Sequence, residues 1–134
     1  MLTRSFPRVL ALVAVAWLAV CAAPSYADSS EKPANKWRII FDDRADNDGT
    51  IVFRIAPVGK DPIDVETKIP AGTSENHAAD ILSDSLKASL GKGFHVETDD
   101  GEDVLIKRRG DTPKFFVTMV STSLTGLNVK VKKD

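Results

Sequence analysis

The chain has 134 residues, with 18 Lys plus Arg against 19 Asp plus Glu, 2 His and 1 Cys. A near-neutral balance without a basic stripe of interleaved aromatics excludes a nucleic-acid binder, and a lone cysteine excludes a disulfide scaffold. The length allows one domain with a modest core.

The N-terminus reads as an export signal. Arg4 and Arg8 precede an uninterrupted apolar run from Val9 to Ala23, and Ser25-Tyr26-Ala27 places small residues at −3 and −1 before Asp28. Leu18-Ala19-Val20-Cys21 approaches a bacterial lipoprotein signal, but Val20 stands where a small residue belongs, so cleavage after Ala27 is expected. The apolar run is shorter than the ~20 residues a membrane anchor needs. The expected organisation is a cleaved signal peptide over 1–27, a flexible polar tail over 28–36, and a single domain over 37–134. Removing the first 27 of 134 residues leaves 107 and takes the charge balance to 16 basic against 19 acidic. The pattern implies a bacterial chain that is periplasmic or secreted and meets the membrane only during export.

From Trp37 the apolar residues alternate. Trp37, Ile39 and Phe41 predict a strand, and Ile51, Phe53 and Ile55 a second, joined through an acidic loop whose Asp48-Gly49 suits a tight hairpin turn. Ile63, Val65, Thr67 and Ile69 form a third strand, ended by Pro70 and Gly72. A helix is predicted over 74–90, capped by Thr73 or Ser74, with a buried stripe of Ala78, Ile81, Leu82, Ser85, Leu86, Ser89 and Leu90 and with Gly91 past its C-terminus. Residues 94–108 read as a second hairpin about the turn Asp99-Asp100-Gly101-Glu102. Lys114–Ser121 is apolar on both faces and reads as a central strand covered on both sides, or as one covered on its second side by a partner. Leu127, Val129 and Val131 predict a last strand with a lysine-protected edge. The fold class is α+β: a mostly antiparallel curved sheet of six to seven strands packed by one central helix, in the order β-β-β-α-β-β-β-β. The last four strands suit a meander. One helix is too short to cover seven coplanar strands, so the sheet curls, splits or hides a face against a partner.

No constellation has catalytic spacing. Asp46 and Asp48 resemble part of a calcium loop, but the full pattern would place Arg44 and Ile55 at ligand positions. His77 and His95 lack a zinc-binding neighbour set, and no serine sits in a nucleophile elbow. No metal or cofactor is expected. Phe115 and Phe116 are the leading interface candidates, because adjacent strand residues point to opposite faces. Arg108, Arg109, Lys130 and Lys132 would form a positive patch if their strands were neighbours. The function expected is an exported, non-catalytic binding or structural module acting through protein or envelope contacts, with a homo-oligomer among the options. The alternative is a small extracytoplasmic enzyme or ligand carrier with a pocket near the helix N-terminus, where His77 and Asp80 lie.

Overall fold

Alternation of apolar and polar residues becomes strand wherever the sequence carries it. The computed structural model describes residues 31–134. It contains β1 (Lys36–Asp42), β2 (Gly49–Pro57), β3 (Ile63–Ile69), α1 (Glu75–Leu90), β4 (Phe94–Asp99), β5 (Asp103–Arg108), β6 (Phe115–Thr122) and β7 (Asn128–Lys133). The class is α+β, in the expected element order. The signal-peptide segment, 1–27, lies outside the described residues. At the end of the expected tail, Ala34 pairs with Phe115, and the Asn35 carbonyl accepts the Arg108 N–H at 3.0 Å.

The strands divide into two antiparallel sheets, β4-β5-β1-β7 and β3-β2-β6. This corrects three expectations. β1 and β2 are not a hairpin: β1 pairs with β5 and β7, and β2 with β3 and β6. Asp48-Gly49 is therefore not a tight turn. The loop between these strands crosses from one sheet to the other, and Gly49 begins β2 opposite Ile69. Glycine fits closely there: a Cβ would lie 2.8 Å from Leu124 Cδ2, so a larger residue would oblige that side chain to shift. The last four strands are not a meander, since only β4 and β5 form a hairpin. β6 is an edge strand, not a central one. Its apolar residues are divided between Phe115 and Val117, which enter the core, and Met119 and Val120, which are exposed.

Both sheets and the helix share one core. Trp37, Ile39 and Phe41 of β1, Ile51, Phe53 and Ile55 of β2, and Val104 and Ile106 of β5 are fully or almost fully buried in it. Removing each such side chain from water contributes roughly 1.5–3 kcal/mol. α1 packs against β3 of one sheet and against β4, β5 and β1 of the other, while β6 meets β1 and β7. The helix thus fills the side where the sheets diverge.

Its ends follow local chemistry. Ser74 caps the N-terminus, accepting the His77 N–H at 3.4 Å, and Gly91 leaves the helix at φ 65°. The buried face is rotated from the expected stripe. Ala78, Ala79, Leu82, Ser83, Leu86 and Leu90 are buried, whereas Ser89 is exposed and Ser85 half-buried. A helix wedged between two sheets buries a different arc from one lying on a single sheet. Ser83 Oγ and, on β3, Thr67 Oγ1 are buried with no hydrogen-bond partner. A buried hydroxyl without a partner carries a desolvation cost of about 1–3 kcal/mol, and alanine is the better helix former. Ser83→Ala should therefore raise unfolding stability by about 1 kcal/mol, read as a higher urea midpoint at unchanged slope. A lower midpoint would show that the hydroxyl is satisfied.

Candidate functional site

The acidic loop after β1 is a structural joint. Ala45 is buried; its N–H donates to Thr73 O (3.0 Å) and its carbonyl accepts the Gly72 N–H (2.7 Å). Asp48 Oδ1 accepts the Ala71 N–H at 2.7 Å. Asn47 reaches the opposite loop: its Oδ1 accepts from the Thr125 N–H (2.8 Å) and hydroxyl (3.0 Å), and its Nδ2 donates to Ser123 O (3.0 Å). The Asp46 N–H donates to Thr125 O at 2.8 Å. A calcium loop points its oxygens inward at one cation. Here the Asp48 oxygen serves a backbone amide of the turn before α1. Among the described residues no cluster of three or more His, Cys, Asp or Glu is arranged to hold a metal.

The basic candidates are not gathered. β5 and β7 lie on opposite sides of β1, which separates Arg108 and Arg109 from Lys130 and Lys132. Arg108 Nε donates to Asn35 Oδ1, and its Nη1 to Thr112 O. Arg109 Nη2 donates to His95 Nδ1 (2.6 Å), and His95 Nε2 lies 3.1 Å from Glu97 Oε2. Lys107 Nζ donates to Glu97 Oε1 at 2.6 Å. Arg38 meets Asp99 (3.1 Å), Asp103 (2.5 Å) and Asp134 (3.0 Å), and Lys36 also pairs with Asp134. On the outer face of the four-stranded sheet Lys107, Arg38 and Lys36 are therefore each held in an ion pair with an acid. Hydrogen bonds from Asp103 and Asp134 hold the Arg38 pKa above its ordinary value.

His77 and Asp80 are both exposed, and no hydrogen bond joins them among those found. Beside the helix N-terminus, a depression of about 200 Å³ is lined by Ile40, Phe41, Asp42, Glu75, Glu102, Asn128 and Lys130. A second, more open depression at the same end, of about 470 Å³, is lined by residues that include Arg44, Ser74 and His77; Asp80 lines neither. Glu75 Oε2 accepts the Asp43 N–H at 2.9 Å, and Asn128 Nδ2 donates to Asp43 Oδ2 at 3.0 Å.

β6 presents a different kind of surface. Phe115, expected as an interface residue, is fully buried. Its ring meets Phe94 edge-on at 5.1 Å and 80°, and its carbonyl accepts Trp37 Nε1–H at 2.7 Å. Phe116 is half-buried on the other face. From Thr118 to Thr122 every residue is exposed, with Met119 at 38% and Val120 at 46%. The backbone phase is fixed at the start of the strand: the Phe115 N–H and C=O both bond Ala34, while the Lys114 C=O accepts from Val58, the residue after β2. In an antiparallel strand these directions alternate. Phe116 and Thr118 therefore turn their amides toward β2, and Val117 and Met119 turn theirs outward, where no strand pairs. A register shift at Val52/Phe53 ends the regular stretch, pairing Met119 with Phe53 and Ser121 with Val52. Met119 and Val120 were not singled out from the sequence. The signal that marks them is the absence of any charged residue between Lys114 and Lys130.

Two outcomes test this distribution of roles. Asp48→Ala should lower stability by about 1 kcal/mol while Asp48→Asn, which keeps an acceptor oxygen, retains most of it. Millimolar calcium should leave the thermal midpoint of the wild type unmoved, and a calcium-dependent rise would restore the loop as a cation site. The second concerns acid. Asp64 is held below the ordinary carboxylate pKa by Arg54, Glu97 by Lys107 and then His95, and Asp134 by Lys36 and then Arg38. On acidification the unfolded chain takes up these protons first. The stability they supply is intact above the ordinary carboxylate range, about pH 4, and is lost as pH falls through the lower folded values. Thermal unfolding followed from about pH 7 to about pH 3 should show a plateau and then a decline, shallower at high salt.

No protein-family model matches the chain, and a search of curated proteins finds no similar sequence.

Proposed function

We propose that this chain is an exported, non-catalytic module that binds another polypeptide by adding a strand at the open edge of β6. The observation that carries the reading is the outward-facing, unpaired backbone at Val117 and Met119, flanked by exposed Met119 and Val120. Strand addition draws affinity from main-chain hydrogen bonds and selectivity from alternate side chains. Natural edge strands are normally guarded by lysine, proline or charge. β7 carries Lys130, Lys132 and Lys133, whereas β6 carries none of these guards.

Export to the periplasm or beyond rests on the pattern of residues 1–27. No helix among the described residues is long and apolar enough to cross a membrane. A protein partner is favoured over an anionic envelope surface because Lys36, Arg38 and Lys107 of the four-stranded sheet are paired with acids and β1 separates Arg108 and Arg109 from Lys130 and Lys132. It is favoured over the role of enzyme or carrier because the depression that His77 lines at the helix N-terminus, about 470 Å³, lies open to solvent and sets no acid beside His77, whereas a ligand pocket encloses its ligand with convergent polar groups.

Val120→Lys and Met119→Lys place guards on this edge without touching the core. Both variants should keep the wild-type thermal midpoint. Immobilised wild-type protein should retain partners from an envelope extract that the variants release, and the Val117 and Met119 amides should exchange more slowly in the bound state. Retention that is indifferent to both substitutions would overturn the reading.

A further inference from the structure

We infer that the strand received by β6 is β6 of a second copy, paired antiparallel across a two-fold axis at Thr118. This rests on the reading of β6 as the binding edge, and it names the partner. Charge is the first argument. Two copies meeting edge to edge bring identical residues close together, so a charged edge repels itself. β7 would set Lys130 and Lys132 against their equivalents, β4 would set Glu97 and Asp99 against theirs, and β3 would set Glu66 against Glu66 in the one register that matches Asp64 with Lys68. β6 has no charged residue to oppose. Among the described edges it is the one that meets its copy without opposing like charges.

Register is the second argument. An axis at Thr118 puts Thr118 opposite Thr118, Val117 opposite Met119 of the second copy, and Phe116 opposite Val120. Val117 and Met119 carry the outward-directed backbone groups, so the ladder bonds fall where donors and acceptors are free. Every opposed pair is apolar except the two threonines, a favourable cross-strand pair. The contact joins two three-stranded sheets into one continuous sheet. It is bounded at one end by Ala34, already seated on Phe115, and at the other by the register shift near Val120. So short a strand pairing buries less than the ~800 Å² per partner of a standard stable interface. The dimer is therefore weak and concentration-dependent.

Sedimentation of the purified protein from about 10 μM to about 1 mM should show reversible growth from monomer to dimer. Thr118→Glu or Thr118→Lys puts like charges at the axis. Each should raise the dimer dissociation constant by about tenfold or more, with circular dichroism unchanged. Mixing T118E with T118K sets opposite charges across the axis and should restore association. In the wild type, the Val117 and Met119 amides should become protected from hydrogen exchange as concentration rises, a readout that needs no variant. Overturning results are a monomer up to about 1 mM, association indifferent to both variants, or a mixture that stays monomeric. A monomer whose β6 variants still lose an unrelated partner from envelope extract overturns the second copy alone. Edge variants without effect on either assay overturn the binding edge itself.

Discussion

One buried hydrogen bond, from the Trp37 indole to the Phe115 carbonyl at 2.7 Å, joins the two halves of this molecule. Trp37 stands on β1, inside the four-stranded sheet, and Phe115 opens β6, at the edge of the three-stranded one. A buried indole N–H left without a partner carries a cost of about 1–3 kcal/mol, so the two sheets are held at the position that satisfies it. The same carbonyl accepts from Ala34, and the Phe115 ring meets Phe94 of β4. The first residues of β6 are thereby fixed from several directions. Its later residues, Thr118–Thr122, are exposed. A strand clamped at one end and open along the rest is preorganised for pairing, which lowers the ordering entropy that a partner must overcome.

The sheet partition explains what could be read from the sequence and what could not. Local features were legible: the Ser74 cap, Gly91 beyond the helix, the β4–β5 hairpin and the alternation within each strand all depend on near neighbours. Non-local features were not. Asp48-Gly49 has the composition of a hairpin turn, yet what lies against Gly49 is Leu124, far along the chain. Adjacent phenylalanines in β6 suggested a strand covered on both faces. The same pattern fits an edge strand that sends Phe115 inward and leaves Phe116 half-covered. Periodicity reports which faces are apolar and is silent on which strands become neighbours. For the same reason Ser85 and Ser89 looked buried, while Ala79 and Ser83 are buried in fact. The helix answers to two sheets, and its own period contains no record of the second.

The two sheets meet other chains in opposite ways. On the four-stranded sheet, Leu105 is almost fully buried although it lies outside the main core cluster. It stands opposite Arg38 on one side and Glu97 on the other. Both of those side chains lie in ion pairs, and their apolar stems cover the leucine while the charged heads remain in water. Charge there protects an apolar residue and discourages strand addition together. The three-stranded sheet has such a pair between central β2 and the opposite edge β3, Arg54 with Asp64 at 2.8 Å, and no charged residue on β6. The contrast lies within one molecule, between strands of similar length and exposure, so it is a property of the strand and not of overall composition.

An unguarded apolar edge usually invites open-ended assembly. Here the open length is finite. Ala34 occupies the Phe115 position, the register shift near Val120 breaks the ladder, and the loop beyond β6 is held by Asn47 through Ser123 and Thr125. A strand added to β6 finds matched donors and acceptors for only a few residues before both ends refuse it. Once β6 is paired with its own copy, neither copy retains that edge. The outer edges of the joined sheet are then the two β3 strands, which carry Asp64, Glu66 and Lys68. Growth by the same contact therefore stops at two chains, because the symmetry that makes β6 self-compatible also consumes it.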